Sequence, residues 1–490
     1  MAFLRRFDVL IAIILLVSIF AMASQPALDP DMWWHLRAGD EIWHRGEILT
    51  RDVFSSTRAG MPWVNVFWLS DLLMYAVFSF GGSLALAVWV AVTITFTMAV
   101  VYFHIPGSPF LRAFLVVLAS AVAAPTWTVR PQIVSFLLLA VLDAWLDAYK
   151  AGRFRRLWLL PVLFALWINL HGGVIWGWLL LTAVIVGEAL NHFLALPQER
   201  RMSWKGWRSL VLWSLLTVPA VLLNPSGFAA WTLPFQQVSV SLELIHEWFS
   251  PNFHNLAFHP LLWMLFALLG ALGFSGRSLD GGDFLKAAGF AYLAFYAQRN
   301  LGPFAIVAAP VLARYLSAAI DAWLARRVAG GSRVRRLNTS QPLENHLAGI
   351  LNAFIIFLLA AAALLRLWAV ASPDVSRTRL AEAYPQQAVA WIRSANPRGE
   401  IFNAYNWGGY LTWALREYPV FIDGRADLYG EEIIAEWFAV VNASPGWQNL
   451  LAGRGVNLIL LEPWQPVVAQ LPANGWQLLY EDDLAVIYGR

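Results

Sequence analysis

Long stretches without a single charged residue set the rhythm of this chain, residues 9–22 and 84–101 among them. Each approaches the ~20 apolar residues that an α-helix needs to cross a bilayer. Only helices and closed barrels satisfy their own backbone hydrogen bonds in lipid, and continuous apolar runs, unlike period-two alternation, select helices. Such runs predict spans near residues 9–24, 83–103, 110–125, 132–149, 157–170, 174–195, 208–223, 260–276, 284–298, 301–323 and 347–371, about eleven transmembrane helices.

Short basic clusters separate the runs and orient them, because cytoplasmic loops collect Lys and Arg. Arg5 and Arg6 precede the first run, and the others are Lys150/Arg153/Arg155/Arg156, Arg200/Arg201/Lys205/Arg208 and Arg326/Arg327/Arg333/Arg335/Arg336. With eleven crossings and a cytoplasmic N-terminus every cluster falls inside, whereas one miscounted span would reverse all the later ones. The apolar stretch 64–103, broken by Gly81-Gly82, is where a shifted count would arise. The expectation is a multi-pass protein of the plasma (inner) membrane. The first run also has the basic start, apolar core and small-residue Ala21-Met22-Ala23 site of a cleavable signal. Cleaved or not, residue 25 onward emerges outside.

That map leaves two large external segments and divides the chain into a membrane domain, 1–371, and a soluble extracytoplasmic domain, 372–490. In the first external loop, 25–82, residues 31–43 and 63–80 mix aromatic and polar positions as interfacial helices do. The tail changes character. Short apolar runs at 400–405, 420–423, 457–461 and 476–480 alternate with helical patterns at 386–394, 410–418 and 431–441. Alternation of this kind predicts a small α/β domain with a partly parallel sheet, closed by a hairpin of 477–480 with 485–488.

Composition agrees with this reading. Of 490 residues, 59% are hydrophobic and 13% charged, against about 25% charged in soluble proteins. The net charge of +3 sits in the loop clusters and is a topology signal rather than a nucleic-acid footprint. Without cysteine, disulfides, a thiol nucleophile and cysteine-held metal are all excluded. No phosphate-binding glycine loop, nucleotide fingerprint or zinc helix motif appears.

Polar residues gather where the map places the outer face. Asp29-Pro30-Asp31, followed by Trp33, Trp34 and His35, puts two carboxylates one residue apart directly after the first span. Such a pair can hold a hard divalent cation or supply a general base; equally, Asp31 can cap the helix that follows. Asn169-Leu170-His171-Gly172-Gly173 offers His171 as proton carrier, metal ligand or phosphate contact, or simply makes a tight turn. Gln298-Arg299-Asn300 offers an arginine for a phosphate, or one snorkelling towards headgroups, and Arg130 with Gln132 stands in a similar position. Glu247, beside Trp248 in the loop 224–259, with Asn224, His246 and His254 nearby, can complete such a site. In the tail, Trp407-Gly408-Gly409-Tyr410 and Asp423-Gly424-Arg425-Ala426-Asp427-Leu428-Tyr429 stand out.

An acidic pair directly after the first span, within a large external loop carrying interfacial helices, resembles the GT-C superfamily of glycosyltransferases. These include protein O-mannosyltransferases, oligosaccharyltransferases and aminoarabinose transferases. Residues 28–36, Phe54-Ser55-Ser56-Thr57, Pro62-Trp63-Val64-Asn65, 169–173, Arg299-Asn300, 406–410 and 421–425 resemble a bacterial branch of it over most of the chain. The resemblance implies a sugar donor on a polyprenyl phosphate, an acceptor glycan, lipid or protein, and transfer with inversion. Asp29 or Asp31 would orient or deprotonate the acceptor. Arg299, Arg130 or His171 would stabilise the departing phosphate, with His35, Asn169 and Glu247 as further substrate contacts. A divalent cation, Mg or Mn, on Asp29 and Asp31 is an optional cofactor. Two other classes compete: a lipid-linked glycan transporter or flippase, and a non-catalytic scaffold with a binding domain. The first would need polar residues deep in the spans and inverted repeats; Asp143 and Asp147 lie near a cytoplasmic end.

Overall fold

The computed structural model describes residues 7–197, 201–232, 245–329 and 346–490. Arg5, Arg6, Arg200 and Arg333/Arg335/Arg336 of the basic clusters lie outside these.

Each predicted apolar run falls on a helix. These are α1 (Phe7–Ala23), α3 (Trp68–His104), α4 (Pro109–Ala123), α5 (Gln132–Lys150), α6 (Leu159–Leu170), α7 (Val174–Phe193), α8 (Trp204–Leu215), α9 (His259–Phe274), α10 (Gly281–Tyr296), α11 (Leu301–Ala329) and α12 (His346–Ala371). Among the described residues eight are long and apolar enough to cross a membrane, α4, α8 and α9 with the short turns that extend them to Thr126, to Leu223 and back to Leu256; α1, α6 and α10 fall short of that length. Local chemistry sets their ends. Ser108 Oγ accepts the N–H of Leu111, with Pro109 in the first turn of α4, and Asp280 accepts from Gly282 and Asp283 at the start of α10. α11 is the axis of the bundle, with every residue from 301 to 313 buried.

The two predicted interfacial segments differ in outcome. Residues 32–45 form a separate amphipathic helix, α2 (Met32–Arg45), closed by Gly46 at φ 69°. Residues 68–80 instead run on into the next span, and α3 only breaks step at Gly81-Gly82, where Gly82 takes φ 59°. An L side chain is strained at that angle, so the glycine pair makes the bend.

The tail continues through α13 (Pro373–Ala383), α14 (Gln386–Ala395), β1 (Glu400–Asn403), α15 (Tyr405–Ala414), α16 (Ala426–Val441), α17 (Trp447–Gly453), β2 (Val456–Leu461), β3 (Gln477–Glu481) and β4 (Val486–Gly489). Its four-stranded sheet has the order β1-β2-β4-β3: β1 pairs β2 in parallel, and the rest is antiparallel. The predicted hairpin is β3 with β4. The run 420–423 is not a strand of this sheet. Val420 instead makes an isolated parallel bridge with Ser55, exchanging backbone bonds with Phe54 and Ser56 at 3.0 and 2.9 Å. Its apolar character fits burial between the loop 46–67 and the sheet, where periodicity alone cannot tell a strand from other buried backbone.

Candidate active site

The acidic pair is shaped by its own turn. Asp29 Oδ1 accepts the N–H of Asp31 at 2.9 Å, with Pro30 fixing the backbone between them. Asp31 stands at the N-terminus of α2 but makes no capping bond, so its carboxylate is free for another partner. That partner is Arg130, in the short segment between α4 and α5. Its Nε lies 2.9 Å from Asp29 Oδ1, one Nη contacts Asp31 Oδ2, and the other contacts Glu247 Oε2. Arg299 Nη1 is 3.5 Å from the second oxygen of Glu247, and its guanidinium sits 4.5 Å over the ring of Trp248. Three carboxylates and two guanidiniums thus meet in one place, leaving one formal negative charge.

Burial and charge act unequally on these groups. Burial drives the pKa of Asp31 up, Arg130 pulls it down, and Asp29 and Glu247 push it up again, so it settles at about 7. Glu247 feels the same burial, but Arg130 and Arg299 together overcome it and hold the group at about 2. Arg130 stays above its ordinary value because its three carboxylates outweigh its own desolvation. One acid is therefore poised near neutrality beside another that is firmly ionised.

Two histidines complete the cavity. His171, at the C-terminal end of α6, accepts the N–H of Gly173 at Nδ1 (2.9 Å), with Ser135 Oγ 2.8 Å from the same nitrogen. An accepting Nδ1 puts the proton on Nε2 and makes the ring a neutral donor. Burial, then Arg299, pushes its pKa well below the ordinary value and keeps it neutral. His35 stacks on Trp34, and its Nδ1 lies 2.6 Å from Asp71 Oδ1; Asn65 donates to the other Asp71 oxygen at 2.9 Å. Burial, then Arg130, lowers the pKa of His35 as well.

A small cavity of about 90 Å³ is lined by Asp31, His35, Arg130, His171, Glu247 and Arg299. A larger one of about 730 Å³ shares Asp31, Arg130, Glu247 and Arg299 with it and adds Asp29, a volume ample for an organic ligand. Its far wall comes from the tail: Tyr405, Asn406, Ile434, Trp437, Phe438 and Trp464. Glycines let the tail approach so closely. A Cβ on Gly424 would stand 1.8 Å from Asp31 Oδ1, and one on Gly409 would stand 2.5 Å from the carbonyl of Pro30. Arg425 fastens the contact. Fully buried, it pairs with Asp423 and with Asp52 of the loop at 2.7 Å each, under the rings of Phe54 and Trp63. Asp427, also lining the small cavity, is pushed up to about 6 by burial.

Of the residues singled out from sequence, Asp29, Asp31, His35, Arg130, His171, Glu247 and Arg299 therefore share one location. Asn169 stands apart and lines neither cavity. Its Oδ1 accepts from Trp68 Nε1 at 2.6 Å and from Asn224 at 3.3 Å, and its amide donates to Ala165 O at 2.7 Å. Its polar atoms are used up in joining three helical segments. Sequence reasoning missed Asp71, whose signal was a carboxylate in the otherwise apolar start of α3, and the aromatic wall of the tail, which had none.

The donor set can also take a divalent cation. Asp29 and Asp31 offer oxygen ligands, as Mg²⁺ and Mn²⁺ prefer, and the local charge balance is negative. Such an ion would compete with Arg130 for the same oxygens.

Solved structures share this architecture. The archaeal oligosaccharyltransferase AglB from Archaeoglobus fulgidus, in complex with an inhibitory peptide and a dolichol-phosphate, superposes with a TM-score of 0.56 at 12% identity, covering 98% of this chain and 74% of that one. The Archaeoglobus fulgidus oligosaccharyltransferase in the apo form gives 0.55 at 12% identity over the same shares. ArnT from Cupriavidus metallidurans in the apo state gives 0.49 at 15% identity, over 98% and 97%. No family model matches the sequence, and neither does any curated protein. The chain thus shares the fold of the archaeal oligosaccharyltransferase structures.

Proposed function

We propose that this protein is a membrane glycosyltransferase that moves a sugar from a polyprenyl-phosphate donor to an acceptor hydroxyl, with inversion, on the extracytoplasmic side of the inner membrane. The observation that carries this reading is the meeting of an acidic pair with two arginines in a cavity shared by the bundle and the tail. The orientation is supported by Lys150, Arg153 and Arg201, basic residues that line a cavity at the opposite end of the bundle.

In this reading the donor's phosphate lies against Arg299 and Arg130, with the Nε2–H of His171 as a third, neutral donor. Arg130 exchanges a carboxylate for a phosphate oxygen as the donor arrives, which releases Asp31. The acceptor hydroxyl loses its proton to the Asp31 carboxylate, and its oxygen bonds to the anomeric carbon on the face opposite the phosphate. The bond between that carbon and the phosphate oxygen breaks, and its electron pair leaves with the phosphate, whose charge the two guanidiniums stabilise. Asp29 and Glu247 keep Arg130 in place, and Asp71 orients His35 against the reacting groups. A cation held by Asp29 and Asp31 would add Lewis-acid charge for the leaving group.

The test is purified protein incubated with a panel of polyprenyl-phosphate sugars, with release of polyprenyl phosphate as the readout. Release that disappears in Asp29→Asn and Asp31→Asn supports the reading. Undiminished release in both variants overturns the site, and no release from any donor overturns the activity.

A further inference from the structure

A second group of charged side chains lies at the other end of the same helices. Seventeen positions along the chain separate Arg130 from Asp147, which at the helical rise is ~25 Å. His104 closes α3, Asp143 and Asp147 stand in the last turns of α5, and Lys286 and Arg314 reach them from α10 and α11. Charge is costly at this depth and needs partners.

The partners fall short by count. Lys286 joins Asp143 and Asp147 at 2.5 and 3.0 Å; Arg314 joins Asp147 and Asp283; Lys150 joins Glu188 and Asp280. Five carboxylates against three cations leave two negative charges. Arg153, Arg201 and Arg277 line the adjoining cavity of about 400 Å³, yet make no ion pair with this network. One atom of the group is buried with neither a hydrogen bond nor a cation within hydrogen-bond reach: Asp143 Oδ2, on a residue 1% exposed.

That oxygen lies beside an imidazole. His104 Nε2 is 3.7 Å from it and 3.0 Å from Asp147 Oδ2, which Arg314 also contacts, and one ligand atom from each of the three residues falls within 4.8 Å of the others. Ligands ~2.1 Å from a common ion at 90–110° stand ~3.0–3.5 Å apart. We propose that His104, Asp143 and Asp147 form a site for a divalent transition ion of the Mn²⁺ or Zn²⁺ type, a ligand set of one imidazole and two carboxylates that suits these ions. Lys286 holds the remaining oxygens of both aspartates, as an outer partner that orients ligands does. The cavity beside the triad gives access and room for the ion's water ligands. A protonated His104 paired with Asp147 is the rival explanation.

The site is independent of the proposed transferase chemistry and is tested without an activity assay. Full-length Asp29→Asn/Asp31→Asn protein, which removes the competing acidic pair, is stripped with chelator in detergent and titrated with Mn²⁺. One ion per chain is expected, with ¹⁴N coupling from a coordinated imidazole in its pulsed EPR spectrum, and Zn²⁺ should displace it. Adding His104→Gln should abolish the coupling, and adding Asp143→Asn should lose the ion. No bound Mn²⁺ or Zn²⁺, or a bound ion without nitrogen coupling in the parent protein, overturns the proposal even if a triad variant fails to fold.

Discussion

Among the described residues the bundle holds two groups of buried charge, one at each end, and they are built on opposite lines. In the group around Arg130 a single guanidinium serves three carboxylates at the edge of a large cavity, and the acids are split, Asp31 near 7 and Glu247 near 2. In the group around Lys286 the carboxylates are held from several helices, and the lysine is almost wholly buried. The first arrangement leaves a base ready to change protonation and an arginine able to change partners. The second ties α5, α10 and α11 together. Buried charge alone thus does not mark a reaction site; acids pushed apart in pKa beside an open cavity do.

The largest expected effect lies at the first end. Asp31→Asn keeps the shape of the side chain but cannot take a proton, and general-base loss of this kind lowers turnover by about 10²–10⁴-fold. Thermal unfolding should not suffer, because a desolvated acid has been replaced by a neutral amide. Polyprenyl-phosphate release and a melting curve on the same preparation check both. A large fall in stability would mean that Asp31 is structural.

Lys286→Met should reverse that pattern. Removing one partner of a buried charge group strands the other, at a cost of about 3–5 kcal/mol. Turnover per folded molecule is expected to hold while the unfolding midpoint falls steeply. A collapse in turnover without loss of stability would erase the contrast between the two ends.

The pH profile sharpens it further. As base, Asp31 must be ionised, so activity should climb as pH rises through about 7. Because Arg130 lowers that pKa, Arg130→Gln should move the acid limb upward in whatever residual activity remains. A limb that stays in place would show that the titrating group is not beside Arg130.

Much of the first end was legible because its parts announce themselves against an apolar background. Asp29, Asp31, Arg130, Glu247 and Arg299 are charges beside long uncharged runs, and the expense of such charges in lipid makes each of them a signal. The helices were legible for the same reason. Asn169 lies off both cavities, because an amide at a helix end serves tertiary hydrogen bonds as well as ligands, and sequence does not tell which. The run 420–423 misled because a buried extended segment and a strand share one apolar pattern. Least visible was the tail's share of the cavity. Tyr405 and Trp464 are ordinary aromatics in sequence, and only the docking of the tail on the loop brings them within reach of the acidic pair.

That docking carries the smallest and most specific prediction. Gly424 is held so close to Asp31 that a single added methyl group cannot fit unless one of them moves. Overpacking of this kind costs about 1–3 kcal/mol, less than the loss expected at Lys286. The neighbour that must yield is the base itself, so Gly424→Ala should also slow turnover, by about tenfold if Asp31 shifts by a fraction of an ångström. Gly430, with φ 65°, is a control in the same domain: there a substitution strains the backbone, but the nearest atom to an added Cβ is Arg58 Nη2 at 3.9 Å. Gly430→Ala is therefore expected to lower stability and leave turnover per folded molecule alone. If the two variants behave alike in both assays, the tail supports the fold but does not shape the site. If only Gly424→Ala slows turnover, the tail and the bundle form the site together.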